Sequence, residues 1–292
     1  MRRTWTAVVV IAGMSAVSTA CSTSKESPAA STPAASQGNS QSAAARLVPA
    51  ALRSKGTVIV GTEGDYPPGS FVEADGRTLT GTDIDFANAL GKALDLKVTL
   101  QASKFDTLIP GVQDGRYDIA ISGIFDTKKR EKVVDLVTYK QTGKSFFVKQ
   151  ASSKQYEGLA SLCNSKVAVL SGSTELTDAQ TQSKSCQVDV LTFADQNAAN
   201  LAVSSGRADV GFVDSPLAGY LVEQTKGQFQ LSGKSFDTVP NGMALPKGNG
   251  MGEAVRTALS EMMSNGQYTT ILKKWGAQSD AIPAPVINGA QK

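Results

Sequence analysis

The sequence predicts an α/β protein with two similar lobes, and three observations support this prediction. Segments with strand-like and helix-like patterns alternate along most of the chain, which is typical of largely parallel sheets covered by helices. A pattern of helix, Gly-Arg turn and buried strand occurs twice, within 105–123 and within 198–214. Glycine and polar residues follow several predicted strands, at the sheet edge where open α/β sheets place their ligands.

The alternation begins at residue 57. Short runs rich in β-branched residues predict strands, and apolar residues at helical spacing predict helices. The predicted strands lie at 57–61, 97–100, 117–121, 166–170, 188–191 and 208–213, and a second set begins at 146–148. The predicted helices lie at 83–94, 105–113, 174–183, 198–204, 252–263 and 267–275.

The two copies of the repeat share a turn from helix to strand. Gly115 and Gly206 suit the position just after a helix, and Asp118 and Asp209 each precede a buried strand. We interpret these residues as structural, because one repeated turn accounts for all of them. Their repetition indicates two lobes of similar construction.

The composition excludes several classes of function. Of the 292 residues, 41% are hydrophobic and 19% are charged, which is ordinary for a globular protein. The net charge of +3 is small and the basic residues are scattered along the chain, so nothing indicates a nucleic-acid partner. The chain contains no histidine, which excludes His-based catalytic triads and His metal ligands. We expect no metal and no cofactor.

The N-terminal segment 1–21 has the pattern of a signal peptide. Two arginines precede a short apolar core, which is too short to span a membrane. The small residues before Cys21 resemble a bacterial lipobox, although Ser18 stands where Leu is usual. Cys21 is therefore the predicted lipidated N-terminus, and the Ser-, Ala- and Pro-rich segment 22–45 is a predicted disordered tether.

Two further cysteines, Cys163 and Cys186, remain in the predicted exported chain. An even pair in an oxidising compartment implies a disulfide. Two buried free thiols are the alternative.

The segment 118–137 contains a candidate receptor for an anion. An apolar strand ends at Ser122-Gly123, and Asp126 or Thr127 can cap the helix that follows. The cations after the cap lie at the unfavourable end of the helix dipole. We interpret the two lysines there as solvated. Arg130 can fold back over the strand end, where a guanidinium binds a carboxylate well.

Other candidate residues follow the carboxyl ends of predicted strands. Glu63 and Asp65 follow the first strand, and Asp214 follows the strand at 208–213. Gly172 and Thr174 belong to a turn that opens a helix, so its free N–H groups suit an anion. These ends meet at one edge of an open sheet, so the sequence predicts one binding site there.

The segment 118–137 resembles the signature of the family 3 extracellular solute-binding proteins, the amino-acid-binding subunits of ABC importers. In that family a strand with small residues leads into Thr-x-x-Arg, which corresponds here to Ser122, Gly123, Thr127 and Arg130. The resemblance extends from about Leu47 to Ala277. It implies a bilobal periplasmic-binding-protein fold of type II, with two α/β lobes joined by two crossover strands.

The resemblance also implies domain boundaries. Lobe 1 is expected at 46–145 and 243–278, and lobe 2 at 146–242. The remaining residues, 279–292, are expected to be a flexible C-terminal tail.

The resemblance assigns roles to individual residues. Arg130 and Thr174 would bind the α-carboxylate of an amino acid, and Asp214 its α-ammonium group. Tyr66 would pack on the ligand, and Phe105 would lie against the ligand side chain.

Three departures from the family pattern affect the expected pocket. Gly69 stands where Phe usually follows Tyr-Pro-Pro, and Thr82 replaces the Phe of Gly-Phe-Asp. Phe125 occupies a position that is normally a hydroxyl residue near the ligand head. The shape of the pocket and its hydrogen bonds to the amine are therefore expected to differ.

The expected function is extracytoplasmic capture of a polar amino acid between the lobes and its delivery to an ABC permease. The resemblance implies a monomer on the outer face of the cytoplasmic membrane, held there by the lipid on Cys21. One alternative is an exported dehydratase-like enzyme with Glu63 or Asp65 as general acid. A second alternative is a sensor subunit that presents its ligand to a membrane receptor. The sequence leaves the identity of the amino acid open.

Overall fold

The computed structural model describes residues 42–290, which form two α/β lobes joined by two long antiparallel strands. The predicted signal peptide, Cys21 and most of the predicted tether lie outside the described residues, as do the last two residues of the chain. Within residues 42–290, no helix is long and apolar enough to cross a membrane.

The described part of the chain contains strands in one mixed sheet of eight strands and one small antiparallel sheet of three. The strands are β1 (Thr57–Thr62), β2 (Asp65–Tyr66), β3 (Ser70–Val72), β4 (Leu79–Thr80), β5 (Lys97–Ala102), β6 (Ile119–Ala120), β7 (Val134–Lys149), β8 (Ser165–Leu170), β9 (Val188–Phe193), β10 (Val210–Asp214) and β11 (Phe229–Pro246).

Helices cover the faces of the large sheet. The α-helices are α1 (Ala43–Leu47), α2 (Ala50–Lys55), α3 (Thr82–Ala93), α4 (Leu108–Gln113), α5 (Lys128–Glu131), α6 (Thr174–Gln182), α7 (Gln196–Ser204), α8 (Ser215–Gln224), α9 (Met251–Ser264) and α10 (Gln267–Lys274). The expected alternation of strands and helices is therefore present.

The order of strands across the large sheet is β5-β1-β6-β11-β7-β10-β8-β9. The β1, β5 and β6 strands pair in parallel in one lobe, and β8, β9 and β10 do so in the other. Between them, β7 and β11 pair with each other along most of their lengths. These two strands are the crossovers between the lobes.

The hydrophobic core follows the division into lobes. In lobe 1, buried residues such as Val60, Phe86 and Leu259 pack together. In lobe 2, Phe146 and Phe212 belong to one buried cluster, and a second cluster lies on the opposite face of the sheet. Burying such a side chain completely contributes about 1.5–3 kcal/mol, so each lobe has a substantial core of its own.

The crossover strands were the main elements that sequence patterns missed. The strand predicted to begin at Phe146 is the end of β7, which starts at Val134. No sequence pattern predicted a strand at β11. The middle of both strands carries glycine and polar residues, because this part passes between the lobes rather than through a core.

The segment after the family signature forms a shorter helix than its sequence suggests. Thr127 is the N-cap of α5, and its hydroxyl accepts a hydrogen bond from the backbone N–H of Arg130. The helix ends after one turn at Glu131, and β7 begins at Val134. The prediction of Asp126 or Thr127 as the cap is thus resolved in favour of Thr127.

The two segments predicted to be flexible, 22–45 and 279–292, both include residues that are folded in the structure. At the N-terminal side, Ser42 caps α1 and donates a hydrogen bond to the carbonyl of Ala93 at 2.6 Å, so residues 42–45 belong to the folded body. At the C-terminal side, Asn288 bonds Leu136 and Asp135 on β7. The segment 282–290 is therefore docked on lobe 1, with Ile282 and Ala290 buried.

Cys163 and Cys186 form a disulfide, as the sequence predicts. It joins the turn before β8 to the segment after α6, within lobe 2. In the chain-entropy account, closing a loop of this length stabilises a protein by about 3 kcal/mol.

Candidate ligand-binding site

A pocket lies between the lobes, at the carboxyl ends of their strands. Lobe 1 contributes the loops after β1 and β6 and the turn before α4, and lobe 2 contributes the N-terminal ends of α6, α7 and α8. The residues that line the pocket are Tyr66, Phe105, Ser122, Gly123, Phe125, Arg130, Leu170, Ser173, Thr174, Glu175, Gln196, Phe212, Val213 and Asp214.

The structure brings most of the sequence-predicted site residues together. Eight line the pocket: Tyr66, Phe105, Ser122, Gly123, Phe125, Arg130, Thr174 and Asp214. Glu63 and Gly172 do not line it, but both touch residues that do. The backbone N–H of Glu63 donates to the hydroxyl of Ser122, and the carbonyl of Gly172 accepts from Arg130.

Arg130 is oriented by both lobes. Its Nη1 donates to the carbonyl of Phe125 at 2.8 Å, and its Nη2 donates to the carbonyl of Gly172 at 3.0 Å. The guanidinium carbon lies 5.6 Å from the centre of the Phe105 ring, a cation–π geometry. Desolvation lowers the pKa of Arg130. A guanidinium has five N–H donors, so it keeps donors for a bound carboxylate.

Asp214 belongs to lobe 2, at the end of β10, and lines the same pocket. Its backbone N–H donates to the phenol oxygen of Tyr66 at 3.2 Å, which connects the lobes. The Asp214 carboxyl is buried, and burial raises its pKa well above the usual range. The neighbouring carboxyl of Glu175 raises that pKa further. Two adjacent buried acids are stabilised when one of them is protonated or when a positive charge lies beside them.

Glu175 is a site residue that sequence patterns did not reveal. It follows Thr174 in the first turn of α6, where an acid is commonly explained by the helix dipole alone. In the structure its side chain is buried in the pocket, and one carboxylate oxygen accepts from the Thr174 hydroxyl at 3.2 Å. Burial raises the pKa of Glu175, and the nearby Lys144 lowers it in part.

Gln196 is a second residue that was missed. It is the first residue of α7, which Asp195 caps, and it is fully buried. The side-chain amide donates to Asn200 at 2.8 Å, and this bond leaves the carbonyl oxygen facing the pocket region. Its position just inside a capped helix, after a predicted strand, was the only signal available in the sequence.

The pocket region contains buried acceptors that lack donors. Among the described residues, no donor reaches Glu175 Oε1, Gln196 Oε1 or either carboxylate oxygen of Glu63. Glu63 is 1% exposed, and its pKa is raised well above the usual range by burial and by the nearby Asp65. Buried polar atoms are normally hydrogen-bonded, so the unbonded oxygens of Glu175 and Gln196, which line the pocket, suit a ligand with N–H donors.

Aromatic residues form the apolar wall of the pocket. Phe105 and Phe125 come from lobe 1, and Phe212 comes from lobe 2. The ammonium of Lys144 lies 5.7 Å from the centre of the Phe125 ring, and it also bonds Asp178 and Asp237. Phe125 stands where the family pattern has a hydroxyl residue, so the pocket has an apolar surface at this position. This surface suits the methylene groups of a long side chain.

Three polar contacts join the lobes at the rim of the pocket. Lys104 pairs with Asp195 at 3.2 Å, and Ser171 donates to the Asp106 carboxylate at 2.8 Å. The backbone N–H of Asn197 donates to Asp65 at 3.2 Å. The lobes are thus in contact around the pocket, which is a closed arrangement.

The residues around the pocket do not form a metal site. Within the described range 42–290, no group of three or more acidic or cysteine side chains is placed to hold a metal ion.

Two α/β lobes, two crossover strands and an interlobe pocket at the carboxyl ends of the strands define a bilobal periplasmic-type binding protein. Such proteins close around a small molecule that contacts both lobes. Residues 58–278 match the family of bacterial extracellular solute-binding proteins, family 3. The chain belongs to this family.

Individual solute-binding proteins are similar to this chain over most of their own lengths. The L-cystine-binding protein TcyJ of Escherichia coli is 31% identical over 226 residues, which cover 77% of this chain and 84% of TcyJ. An ancestral arginine-binding protein solved with arginine is 34% identical, with a TM-score of 0.72, and the match covers 75% of this chain and 98% of that one.

A third similar protein bears on the enzyme alternative. It is the ancestral amino-acid-binding protein AncCDT-1, a precursor of cyclohexadienyl dehydratase. The two chains are 33% identical with a TM-score of 0.71, and the match covers 77% of this chain and 97% of AncCDT-1. TcyJ and both ancestral proteins are binding proteins by name.

Proposed function

We propose that this protein captures a cationic amino acid, with arginine as the best candidate, and delivers it to an ABC permease. The observation that carries the proposal is the pairing of one basic residue, Arg130, with an excess of buried acceptors in one closed pocket. An α-amino acid has one carboxylate and one ammonium group, which these two ends of the pocket match.

The carboxylate of the ligand is assigned to Arg130 and to the N-terminal end of α6. Arg130 keeps N–H donors beyond its two bonds to backbone carbonyls. The first N–H groups of α6 are free of helical partners, and the helix dipole favours an anion there. Thr174 is the first residue of α6. The family resemblance assigns carboxylate binding to this residue.

The α-ammonium group is assigned to Asp214. Its carboxyl is buried beside Glu175, and an ammonium between these acids would relieve the repulsion that raises the pKa of Asp214. Tyr66 holds the Asp214 backbone and supplies an apolar ring to the pocket.

The ligand side chain is assigned a positive charge. After the α-ammonium has neutralised Asp214, one buried carboxylate oxygen of Glu175, Oε1, still lacks a hydrogen-bond donor. Gln196 adds an amide oxygen to the same set of acceptors. A guanidinium offers five N–H donors on a plane, and its methylene chain suits the aromatic wall.

The similar proteins support this class of ligand without fixing it. Ancestral arginine-binding proteins that match over 98% of their own length were solved with arginine and with glutamine, and TcyJ is named for cystine. The buried acceptors without donors favour the cationic ligand over the neutral one.

Calorimetry with matched ligands tests the proposal. L-Citrulline has nearly the shape of L-arginine but replaces the guanidinium with a neutral urea group. We expect the mature protein to bind L-arginine at least about thirtyfold more tightly than L-citrulline, as is typical when a buried charge pair is lost. Equal affinities, or binding of neutral amino acids alone, would contradict a cationic ligand.

The enzyme alternative uses Glu63 or Asp65 as general acid, and burial raises the pKa of Glu63 as a general acid requires. Glu175, whose pKa is also raised by burial, is a further candidate that the structure adds. We favour binding without turnover, because Arg130 and Asp214 form a complete receptor for an amino acid. Incubation with prephenate and with arogenate separates the two functions. Formation of an aromatic product at a rate proportional to protein concentration would establish the enzyme.

We also propose that Cys21 is the lipidated N-terminus and that the mature protein is a monomer on the outer face of the membrane. The small residues before Cys21 and the polar segment after it support this location. Mass spectrometry of membrane-extracted protein should show an acylated Cys21. A mature chain that begins elsewhere and carries no lipid would contradict the anchor.

Delivery to a permease, rather than to a sensor, is tested in cells. Deleting the gene should abolish high-affinity uptake of labelled L-arginine, and expression of the wild-type protein should restore it. Unchanged uptake together with a lost transcriptional response to arginine would instead identify a sensor subunit.

A further inference from the structure

Gly123 lies in the pocket and contributes only backbone groups. Its φ of +58° favours glycine, and a Cβ atom there would lie 3.3 Å from the Asp214 carboxylate. Both of its backbone polar groups bond to buried side chains of the crossover strands. The N–H donates to the Tyr139 hydroxyl at 3.3 Å, and the carbonyl accepts from Asn241 Nδ2 at 2.9 Å.

Tyr139 and Asn241 meet at an irregularity in the pairing of β7 with β11. Asn241 is opposite Lys140, whereas the next residue, Gly242, is opposite Thr138. Tyr139 is therefore an extra residue in β7, as in a β-bulge. Bulges next to binding sites commonly redirect a side chain, and here the bulge places two neighbouring side chains on one peptide of the pocket.

Further hydrogen bonds fix both side chains in place. The Tyr139 hydroxyl donates to Asp83 at 2.7 Å, and Asp83 also accepts from Lys140 at 2.8 Å. The carbonyl oxygen of the Asn241 side chain accepts from the Thr142 hydroxyl at 3.0 Å. Asn241 thus joins both crossover strands to Gly123.

The pocket segment also pairs directly with the β11 backbone. The N–H of Gly242 donates to the carbonyl of Ile124 at 2.7 Å, and the N–H of Asp126 donates to the carbonyl of Pro240 at 2.8 Å. The residue between them, Phe125, accepts a hydrogen bond from Arg130 through its carbonyl. The backbone around the carboxylate-binding end therefore moves with the crossover strand.

Domain closure changes the backbone angles of a few residues in the segments that join two lobes. Here those segments bear the side chains that hold Gly123. We propose that Asn241 and Tyr139 are positioning residues that couple the angle of the crossover strands to the geometry of the pocket. A ligand in the pocket then stabilises the angle that the crossover strands have in the closed state. A different angle displaces Gly123, Phe125 and Arg130.

This inference rests on the proposed function only in placing the ligand in the interlobe pocket. Calorimetry with L-arginine on Asn241→Leu and Tyr139→Phe measures the coupling. We expect the first variant to weaken binding by about 5- to 150-fold, the usual range of coupling between sites, and the second by about fivefold.

Two matched controls separate positioning from general stability. Ser232 is also buried on β11, and its hydroxyl accepts from the backbone N–H of Tyr156 inside lobe 2. Tyr156 is a fully buried tyrosine whose hydroxyl bonds Ser165. Ser232→Ala and Tyr156→Phe should lower the melting temperature but keep L-arginine affinity within about twofold, since each removes one buried hydrogen bond away from the pocket.

Distances between spin labels at Lys92→Cys in lobe 1 and Lys184→Cys in lobe 2 provide a second measurement, because both positions are exposed. We expect Asn241→Leu to broaden the interlobe distance distribution without ligand and to leave an open fraction at saturating L-arginine. Wild-type affinity together with wild-type distances in both hinge variants would overturn the proposal, whatever their melting temperatures. Failure of the wild-type protein to bind L-arginine would instead contradict the proposed function, while the ligand-free distances would still test the coupling.

Discussion

Arg130 at one end of the pocket and the Asp214–Glu175 pair at the other end are held in opposite ways. Arg130 donates to two backbone carbonyls and lies against an aromatic ring. The two acids are disfavoured in their ionised forms, because burial raises the pKa of both carboxyls. Arg130 is therefore ordered by the protein itself, whereas we propose that the ligand supplies a cation to the acid end.

This difference indicates how the pocket combines order with selectivity. A donor group fixed before binding loses little conformational freedom when the carboxylate arrives. An acid pair that is unfavourable without a cation discriminates against neutral ligands, since these leave the charges unpaired. Substitutions at the two ends, changes of pH and a substitution at the rim should therefore have distinct effects on binding.

The largest effects are expected when either end is truncated. Removing one partner of a desolvated charge pair weakens binding by about 2–5 kcal/mol, or about thirtyfold to several-thousandfold. Arg130→Ala and Asp214→Ala should each nearly abolish L-arginine binding in calorimetry. Lys129→Ala is the matched control, because Lys129 is exposed, and it should remain within about threefold of the wild-type affinity. Wild-type affinity in Asp214→Ala would show that no α-ammonium is bound there.

Glu175→Gln should change selectivity more than overall binding. The substitution keeps the size and one acceptor of the side chain but removes its charge. We expect L-arginine affinity to fall about ten- to hundredfold, and L-citrulline affinity to change by less than about threefold, because only the first ligand loses a charged partner. A parallel loss for both ligands would indicate that Glu175 shapes the pocket without contacting the cation.

The affinity for L-arginine should fall as the pH is lowered. Burial raises the pKa values of Glu175 and Asp214 above their unfolded values, and a bound cation requires both acids to be ionised. Lys144 opposes this shift for Glu175. Protonation therefore competes with the ligand, and the loss should begin at a higher pH than the ordinary carboxyl range near about 4. Calorimetry from about pH 8 down to the ordinary carboxyl range, on wild type and Glu175→Gln, checks this, since the variant should show a weaker pH dependence.

The same raised pKa values have the opposite effect on folding without ligand. For these acids the folded state binds protons more tightly than the unfolded chain, so their contribution to stability increases as the pH falls toward the unfolded values. A wild-type protein whose L-arginine affinity is constant over the whole pH range would contradict an ionised acid end.

The smallest effect is expected at the rim. Lys104 and Asp195 form a largely exposed ion pair across the lobes, with side chains 54% and 35% exposed. Pairs of this kind contribute little, and salt screens them further. Lys104→Ala should alter L-arginine affinity by at most about threefold in calorimetry at about 0.15 M salt. A loss of about tenfold or more would show that rim contacts, rather than the pocket, hold the lobes closed.

The sequence supplied most of the site because the relevant residues follow strands. Ser122, Gly123 and Asp214 could be placed at one sheet edge from the alternation of strands and helices alone. The role of Arg130 came from its spacing after Thr127 and from the family resemblance. Phe125 was identified as a departure from the family pattern, and in the structure it forms part of the apolar wall.

The residues that the sequence did not reveal depend on contacts between distant segments. Glu175 and Gln196 look like ordinary first-turn residues of helices, and only the folded structure shows that they are buried acceptors. The C-terminal segment is expected from the sequence to be flexible, but Asn288 and Gly289 bond lobe 1 over long sequence separations.

By itself, the sequence determined the α/β class, the two lobes and the disulfide pair, and it predicted that Arg130 binds a carboxylate, because each of these depends on local periodicity, short motifs or the family resemblance. The tertiary structure decided which acids lie beside one another, which acceptors remain without donors, and how Tyr139 and Asn241 hold Gly123. The physical reason is that burial and the pairing of β7 with β11 are properties of segments far apart in the chain. Local sequence patterns predict the helices and strands, whereas desolvation and hydrogen bonding across the cleft arise only when those helices and strands pack together.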